Sequence, residues 1–109
     1  MATEFYKHIA WKNKRRAILS RDQYRCTSCR RYGRFTEAIT VHHIFPLEYF
    51  PEYRLSNWNL TSLCSGCHNE LHDRDSHQLT DKGWKLLDKT ARAQGIDLAP
   101  EIQRKIKNF

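Results

Sequence analysis

The chain has 109 residues, room for one small domain with a core that benefits from a metal or another staple. No apolar run approaches the length of a membrane span, so a transmembrane role is excluded and no membrane partner is expected. The net charge of +7 is uneven: residues 1–34 carry ten Lys and Arg against Glu4 and Asp22, while residues 35–109 carry nine against ten acidic groups. A basic face suits a polyphosphate partner through counterion release, and a plain solvated surface explains the charge equally well.

Residues 5–20 read as a basic N-terminal helix, with Ile9, Ile18 and Leu19 partly periodic. The opening residues lack the apolar stretch of a secretory signal, so a reducing, cytoplasmic setting is expected. The first Cys-x-x-Cys, Cys26 and Cys29, follows. Arg30-Arg31-Tyr32-Gly33-Arg34 then makes a basic turn with Gly33 available for positive φ. Residues 37–43 alternate and are β-branched, which predicts a strand ending at His42-His43. Pro46 ends it, and residues 48–54 read as a loop. Residues 55–63 read as a short strand leading to the second knuckle, Cys64 and Cys67. A helix follows Cys67 to about Arg74, which would stack His68 and His72 on one face. A longer helix is capped by Thr80 and stopped by Gly95, with Trp84, Leu87 and Ala91 on one stripe. Pro100 opens a last helix over 101–107. Trp11, Trp58 and Trp84 read as core, His8 and His77 as surface.

Two constellations carry chemistry. The four cysteines are all paired in knuckles with 34 residues between Cys29 and Cys64. In a reducing compartment that pattern predicts a closed tetrahedral zinc site that holds the fold and does no chemistry. Four of the six histidines form an adjacent pair and an i, i+4 pair. His42, His68 and His72 can supply three ligands with positions left open, the catalytic pattern. Adjacent strand residues point to opposite faces, so one of His42 and His43 is left as a general base. An inert second metal site fits the same spacing. Asn59 is expected to bond nearby backbone and so to pin the loop that aims His43.

The set Tyr24-x-Cys26-x-x-Cys29, Val41-His42-His43-Ile44, Asn59-Leu60, Leu63-Cys64-x-x-Cys67-His68-Asn69 and Leu71-His72 resembles the HNH endonucleases across roughly residues 24–74. The resemblance implies an α+β fold. At its centre is a ββα-metal (His-Me finger) core with a four-cysteine zinc site, flanked by N- and C-terminal helices. It divides the single domain into a basic helix (1–22), a zinc-stapled core (23–75) and C-terminal helices (76–109). It implies His43 as general base, Asn59 as the residue orienting it, and His42, His68 and His72 as ligands of one catalytic divalent metal. Cys26, Cys29, Cys64 and Cys67 are implied for structural zinc. Arg15, Arg16, Arg30, Arg31 and Arg34 would hold DNA phosphates. His42 stands where Asp is commoner in the family. Three imidazoles favour zinc, nickel, cobalt or manganese over magnesium. The implied activity is DNA cleavage or nicking with low sequence specificity. The implied context is a phage, with a packaging (terminase) protein as candidate partner. A non-catalytic zinc-knuckle module that binds nucleic acid or a partner, and a nuclease acting on RNA, are the competing expectations.

Overall fold

The structure, a computed structural model, describes residues 2–73 and 78–106. The expectations for Arg74, His77 and Lys107 fall outside those residues. The basic N-terminal segment folds as two helices rather than one, α1 (Ala2–Lys7) and α2 (Ile9–Arg21). The break is His8, whose backbone is extended and whose Nδ1 accepts the Ala10 N–H at 3.2 Å. A residue capping a new helix cannot continue the old one. After α2 the chain reverses through Gln23 and Tyr24, both left-handed at φ 57°.

The first knuckle forms α3 (Thr27–Arg31). The strand over 37–43 is shorter than expected. Glu37 makes only an isolated bridge with Arg25, and β1 covers Thr40–His43. Segment 55–63 begins as a 3-10 turn over Asn57–Asn59 and becomes β2 at Leu60–Leu63. The two strands pair antiparallel, with His42 opposite Thr61 and His43 opposite Leu60. The second knuckle forms α4 (Ser65–Asn69), which starts before Cys67 and stops short of His72. Its C-cap is Glu70, and His72 instead makes an isolated antiparallel bridge with Leu79. The helix is therefore not the element that carries both histidines.

Helix α5 (Asp81–Gln94) is capped by the Thr80 hydroxyl and ends at left-handed Gly95 (φ 68°). Helix α6 (Pro100–Ile106) follows. Three apolar clusters hold these elements together. Trp11, Ile18 and Leu19 of α2 pack on Val41 and Leu60 of the hairpin. Cys26, Cys29, Leu63 and Leu71 pack around the knuckles. Leu87 and Ala91 of α5 and Ile106 of α6 cover Ile44, Phe45, Phe50 and Leu79. The C-terminal helices thus close over the loop that leaves the histidine pair, and the Leu79 N–H bonds the Ile106 carbonyl at 2.7 Å. Trp58 and Trp84 pack partly buried at the edge of that cluster.

Candidate metal centres and active site

The two knuckles are built alike. Cys26 caps α3 and its sulfur accepts the Cys29 N–H at 3.4 Å, and Cys64 caps α4 and accepts the Cys67 N–H at 3.5 Å. All four cysteines are free thiols. Their Sγ atoms all lie within 4.8 Å of one another, with Cys29 3.9 Å from Cys64 and 3.6 Å from Cys67. Two sulfurs bound 2.3 Å from a tetrahedral zinc stand about 3.8 Å apart, close to the two Cys29 separations, so the donor set suits that ion. The thiols respond unequally to being crowded. Burial raises Cys26, but backbone N–H donors from Cys29 and Cys64 outweigh it and hold the thiol at about 7. Burial and its sulfur neighbours push Cys67 up to about 12. Four thiolates in this space require a cation. Thr27 fastens the first knuckle to β2 through the Thr61 hydroxyl at 2.6 Å and the Ser62 carbonyl at 3.2 Å.

His42 and His43 leave β1 in opposite directions, as the two-residue repeat of a strand demands. His42 is 2% exposed and turns toward His68 on α4 and His72 on its bridge. The three rings form a nearly equilateral triangle with centroids 5.1–5.3 Å apart, each pair edge-on at 66–71°. One ligand nitrogen from each lies within 4.8 Å of the others. His72 Nε2 is 3.4 Å from His42 Nδ1. Two imidazole nitrogens held 2.0–2.1 Å from a tetrahedral ion are separated by about 3.3 Å. His42 Nε2 is buried without a hydrogen-bond partner among the described residues. Burial first, then the neighbouring histidines, holds His42 well below its ordinary value, and burial lowers His68 as well. Neutral imidazoles crowded around one point fit a divalent ion. The loss of helical phase after Asn69 has not separated His68 from His72, because α5 presses the turn back. The Thr80 N–H bonds the Leu71 carbonyl at 3.0 Å and the Thr80 hydroxyl bonds the Glu70 carbonyl. Gly83 approaches the Leu71 carbonyl so closely that a Cβ there would overlap it.

His43 lies on the other face of the strand. Its Nε2 is 3.0 Å from the Arg54 carbonyl, which can only accept, so in the neutral ring Nε2 holds the proton and Nδ1 is the acceptor. Burial lowers its pKa, and the Arg54 bond opposes that only in part, so the ring is neutral near pH 7. Asn59 is fully buried, and its bonds reach beyond its immediate neighbours. Its Oδ1 accepts the Phe45 N–H at 2.6 Å, and its Nδ2 donates to the Tyr53 and Phe45 carbonyls at 3.1 and 3.3 Å. Tyr53 precedes Arg54, so the amide that closes the loop also sets the carbonyl that holds His43.

A cleft of 660 Å³ joins the two faces, and His42, His43, His68 and His72 all line it. Of the five arginines expected at phosphates, Arg15 lines this cleft and donates to the Ile39 carbonyl at 2.9 Å. Arg16 is exposed on α2, and Arg30, Arg31 and Arg34 are exposed on and after α3. An aromatic box that the sequence does not announce surrounds His43. Trp11 stacks on it, while Phe5 and Tyr6 meet it edge-on at 5.8 and 6.1 Å. The available signal was three aromatics in an N-terminal segment whose apolar spacing did not suit a single helix.

A hairpin and short helix gathered around four clustered cysteines, with a cluster of three imidazoles beside them, define a small nuclease fold with two candidate metal centres. Comparison with known proteins agrees. The sequence model of HNH endonucleases matches residues 26–74, which include the four cysteines, the four clustered histidines and Asn59. Among solved structures, the chain is similar to the HNH endonuclease of the deep-sea thermophilic bacteriophage GVE2, crystallised with a manganese ion. The two are 41% identical over 62% of this chain and 74% of that one, with a TM-score of 0.61. No curated protein matches the chain. The protein belongs to the HNH endonuclease family and is a nuclease. Among the described residues, no helix is long and apolar enough to cross a membrane.

Proposed function

We propose that the protein is a metal-dependent DNA endonuclease or nickase of low sequence specificity. In this reading the 109 residues act as one domain, with the basic N-terminal helices and the C-terminal helices as supports of the zinc-stapled core. The observation that carries it is the division of labour between adjacent histidines: His42 joins the imidazole triangle, while His43 is held by the Arg54 carbonyl with Nδ1 as its acceptor. His42, His68 and His72 would hold one divalent ion, which when bound stabilises charge developing at the scissile phosphate. His43 Nδ1 takes a proton from the attacking water, and its Nε2–H, fixed by Arg54, keeps the ring aimed. Asn59 is a positioning residue that acts through the Tyr53–Arg54 backbone. Arg15 in the cleft and the exposed Arg16, Arg30, Arg31 and Arg34 hold backbone phosphates. Products carry 5′-phosphate and 3′-hydroxyl ends. Zinc at the four cysteines is structural.

The phage neighbour and its manganese ion support a phage setting and a borderline divalent ion. A reducing, cytoplasmic site of action suits the four free thiols. A role in DNA packaging with a terminase partner rests on the phage resemblance alone. The test is His43→Ala with plasmid DNA. DNA binding and folding are expected to survive, at some cost in melting temperature, while cleavage falls by about 100-fold or more. A variant that cuts as fast as the parent removes His43 from the chemistry.

A further inference from the structure

The first knuckle presents more than its two thiols. Between Asp22 and Glu37 the chain has no acidic residue and four arginines, Arg25, Arg30, Arg31 and Arg34. Three aromatic residues are interleaved with them, Tyr24, Tyr32 and Phe35. The excursion leaves and returns through the Arg25–Glu37 bridge, braced by Cys26 N–H to the Thr36 carbonyl at 2.7 Å and Ala38 N–H to the Tyr24 carbonyl at 2.9 Å. At its tip the Tyr32 and Arg34 N–H groups both donate to the Cys29 carbonyl, and Gly33 turns the chain at φ 75°. The backbone is thus fixed by its own bonds and by a metal-site cysteine. Yet Tyr32 is 71% and Phe35 72% exposed, and Tyr24 is half exposed. Large rings held in water on one braced excursion are a feature of the kind that marks binding sites. The Arg25 guanidinium lies 4.3 Å from the Phe35 centroid and covers part of that ring, leaving most of it open.

We infer that this excursion is a stacking site for unpaired nucleotides of the DNA substrate. Tyr32 and Phe35 are its platforms, and Arg30, Arg31 and Arg34 hold the adjoining phosphates. The inference takes its ligand from the nuclease reading and is independent of which residues cut. Among the described residues Arg30, Arg31 and Arg34 make no ion pair, and exposed guanidinium groups of this kind select a polyanion over an apolar protein partner. Rings interleaved with cations match a chain in which flat bases alternate with phosphates. Bases inside a duplex are already stacked and show only their edges in the grooves. Tyr32 and Phe35 therefore engage bases where pairing is broken, at an overhang, a flap or a displaced strand. The protein then prefers DNA with an unpaired stretch to fully paired DNA.

Fluorescence anisotropy tests this with protein freed of exchangeable metal and zinc kept only at its cysteine site, comparing a blunt duplex with the same duplex bearing a single-stranded overhang. The parent is expected to bind the overhang DNA about tenfold more tightly, the size of one stacked base. In Tyr32→Ala/Phe35→Ala that ratio falls to near one. Tyr32→Phe/Phe35→Tyr keeps it, and that pair decides the matter if the alanine pair folds poorly. A parent that binds both DNAs equally, or an alanine pair that keeps the preference, overturns the inference and leaves the patch to a protein partner. Because binding is read without cleavage, failure here leaves the nuclease reading intact. A protein that binds overhangs but never cuts overturns only the nuclease reading.

Discussion

Trp11 and His43 lie stacked, their ring centroids 4.9 Å apart and their planes within 24°. Trp11 belongs to α2, outside the segment that the HNH family model matches, and is buried. The N-terminal helices therefore wall in the proposed base as well as adding charge. Trp11→Ala removes one face of that wall and opens a core void, costing about 3–5 kcal/mol. Trp11→Phe keeps an aromatic face. The expected order of cleavage rate is parent, then Phe, then Ala, with the Phe variant still folded. Melting curves and single-turnover cleavage separate the two losses.

Asn59 makes three bonds to backbone groups of the loop. Asn59→Ala leaves the Phe45 N–H and the Tyr53 carbonyl buried without that partner, at about 1–3 kcal/mol for each group. Asn59→Asp keeps the Oδ1 acceptor but loses both donor bonds. Both variants are expected to cleave more slowly than their lowered stability explains, because the Arg54 carbonyl shifts with Tyr53. Cleavage measured well below each variant's melting temperature is the check. A normal rate there limits Asn59 to stability.

Gly83 is an approach point. A methyl group there meets the Leu71 carbonyl, one residue before His72. Gly83→Ala is expected to destabilise the fold by about 1–3 kcal/mol. It should also weaken metal binding at the histidines while sparing the cysteine site. Metal titration followed at both sites reads this directly, and equal weakening of the two sites contradicts it.

Asp22 joins α2 to β2 through Arg21 at 2.9 Å and the Ser62 N–H at 3.1 Å. Burial raises its pKa, but these bonds outweigh burial, and the folded value lies below the ordinary one. A carboxylate depressed in the folded state stabilises above its unfolded pKa and loses that contribution as pH falls through the folded value. Asp22→Asn is therefore expected to be less stable than the parent at neutral pH, with the gap closing under acid conditions. Urea midpoints of both proteins across that range measure it, and a gap independent of pH contradicts it.

The order of elements and the residue types that gather into the two clusters are legible because they depend on short-range pattern. Paired knuckles, a β-branched run and Thr80 and Gly95 as helix bounds need no tertiary information. What the sequence hid was tertiary. The helical rule for His68 and His72 was wrong about the element, since α4 ends at Asn69, yet the rings still meet because α5 holds the turn. The break at His8 was hidden because histidine is an uncommon cap, and without that break the ring box around His43 could not be foreseen. From the sequence, Asn59 is expected to bond nearby backbone. Its partners at Phe45 are 14 residues away, a reach that only the closed loop makes visible.

In the proposed mechanism one divalent ion on His42, His68 and His72 works with His43. Its most direct test is cleavage of supercoiled plasmid by protein freed of exchangeable metal with its cysteine site still loaded, adding back manganese, nickel, cobalt, zinc and magnesium one at a time. Nicking is expected to return with the borderline ions, to be weaker with magnesium, and to be absent in His72→Ala under every ion. Cleavage that persists without added metal, or that His72→Ala retains in full, would contradict it.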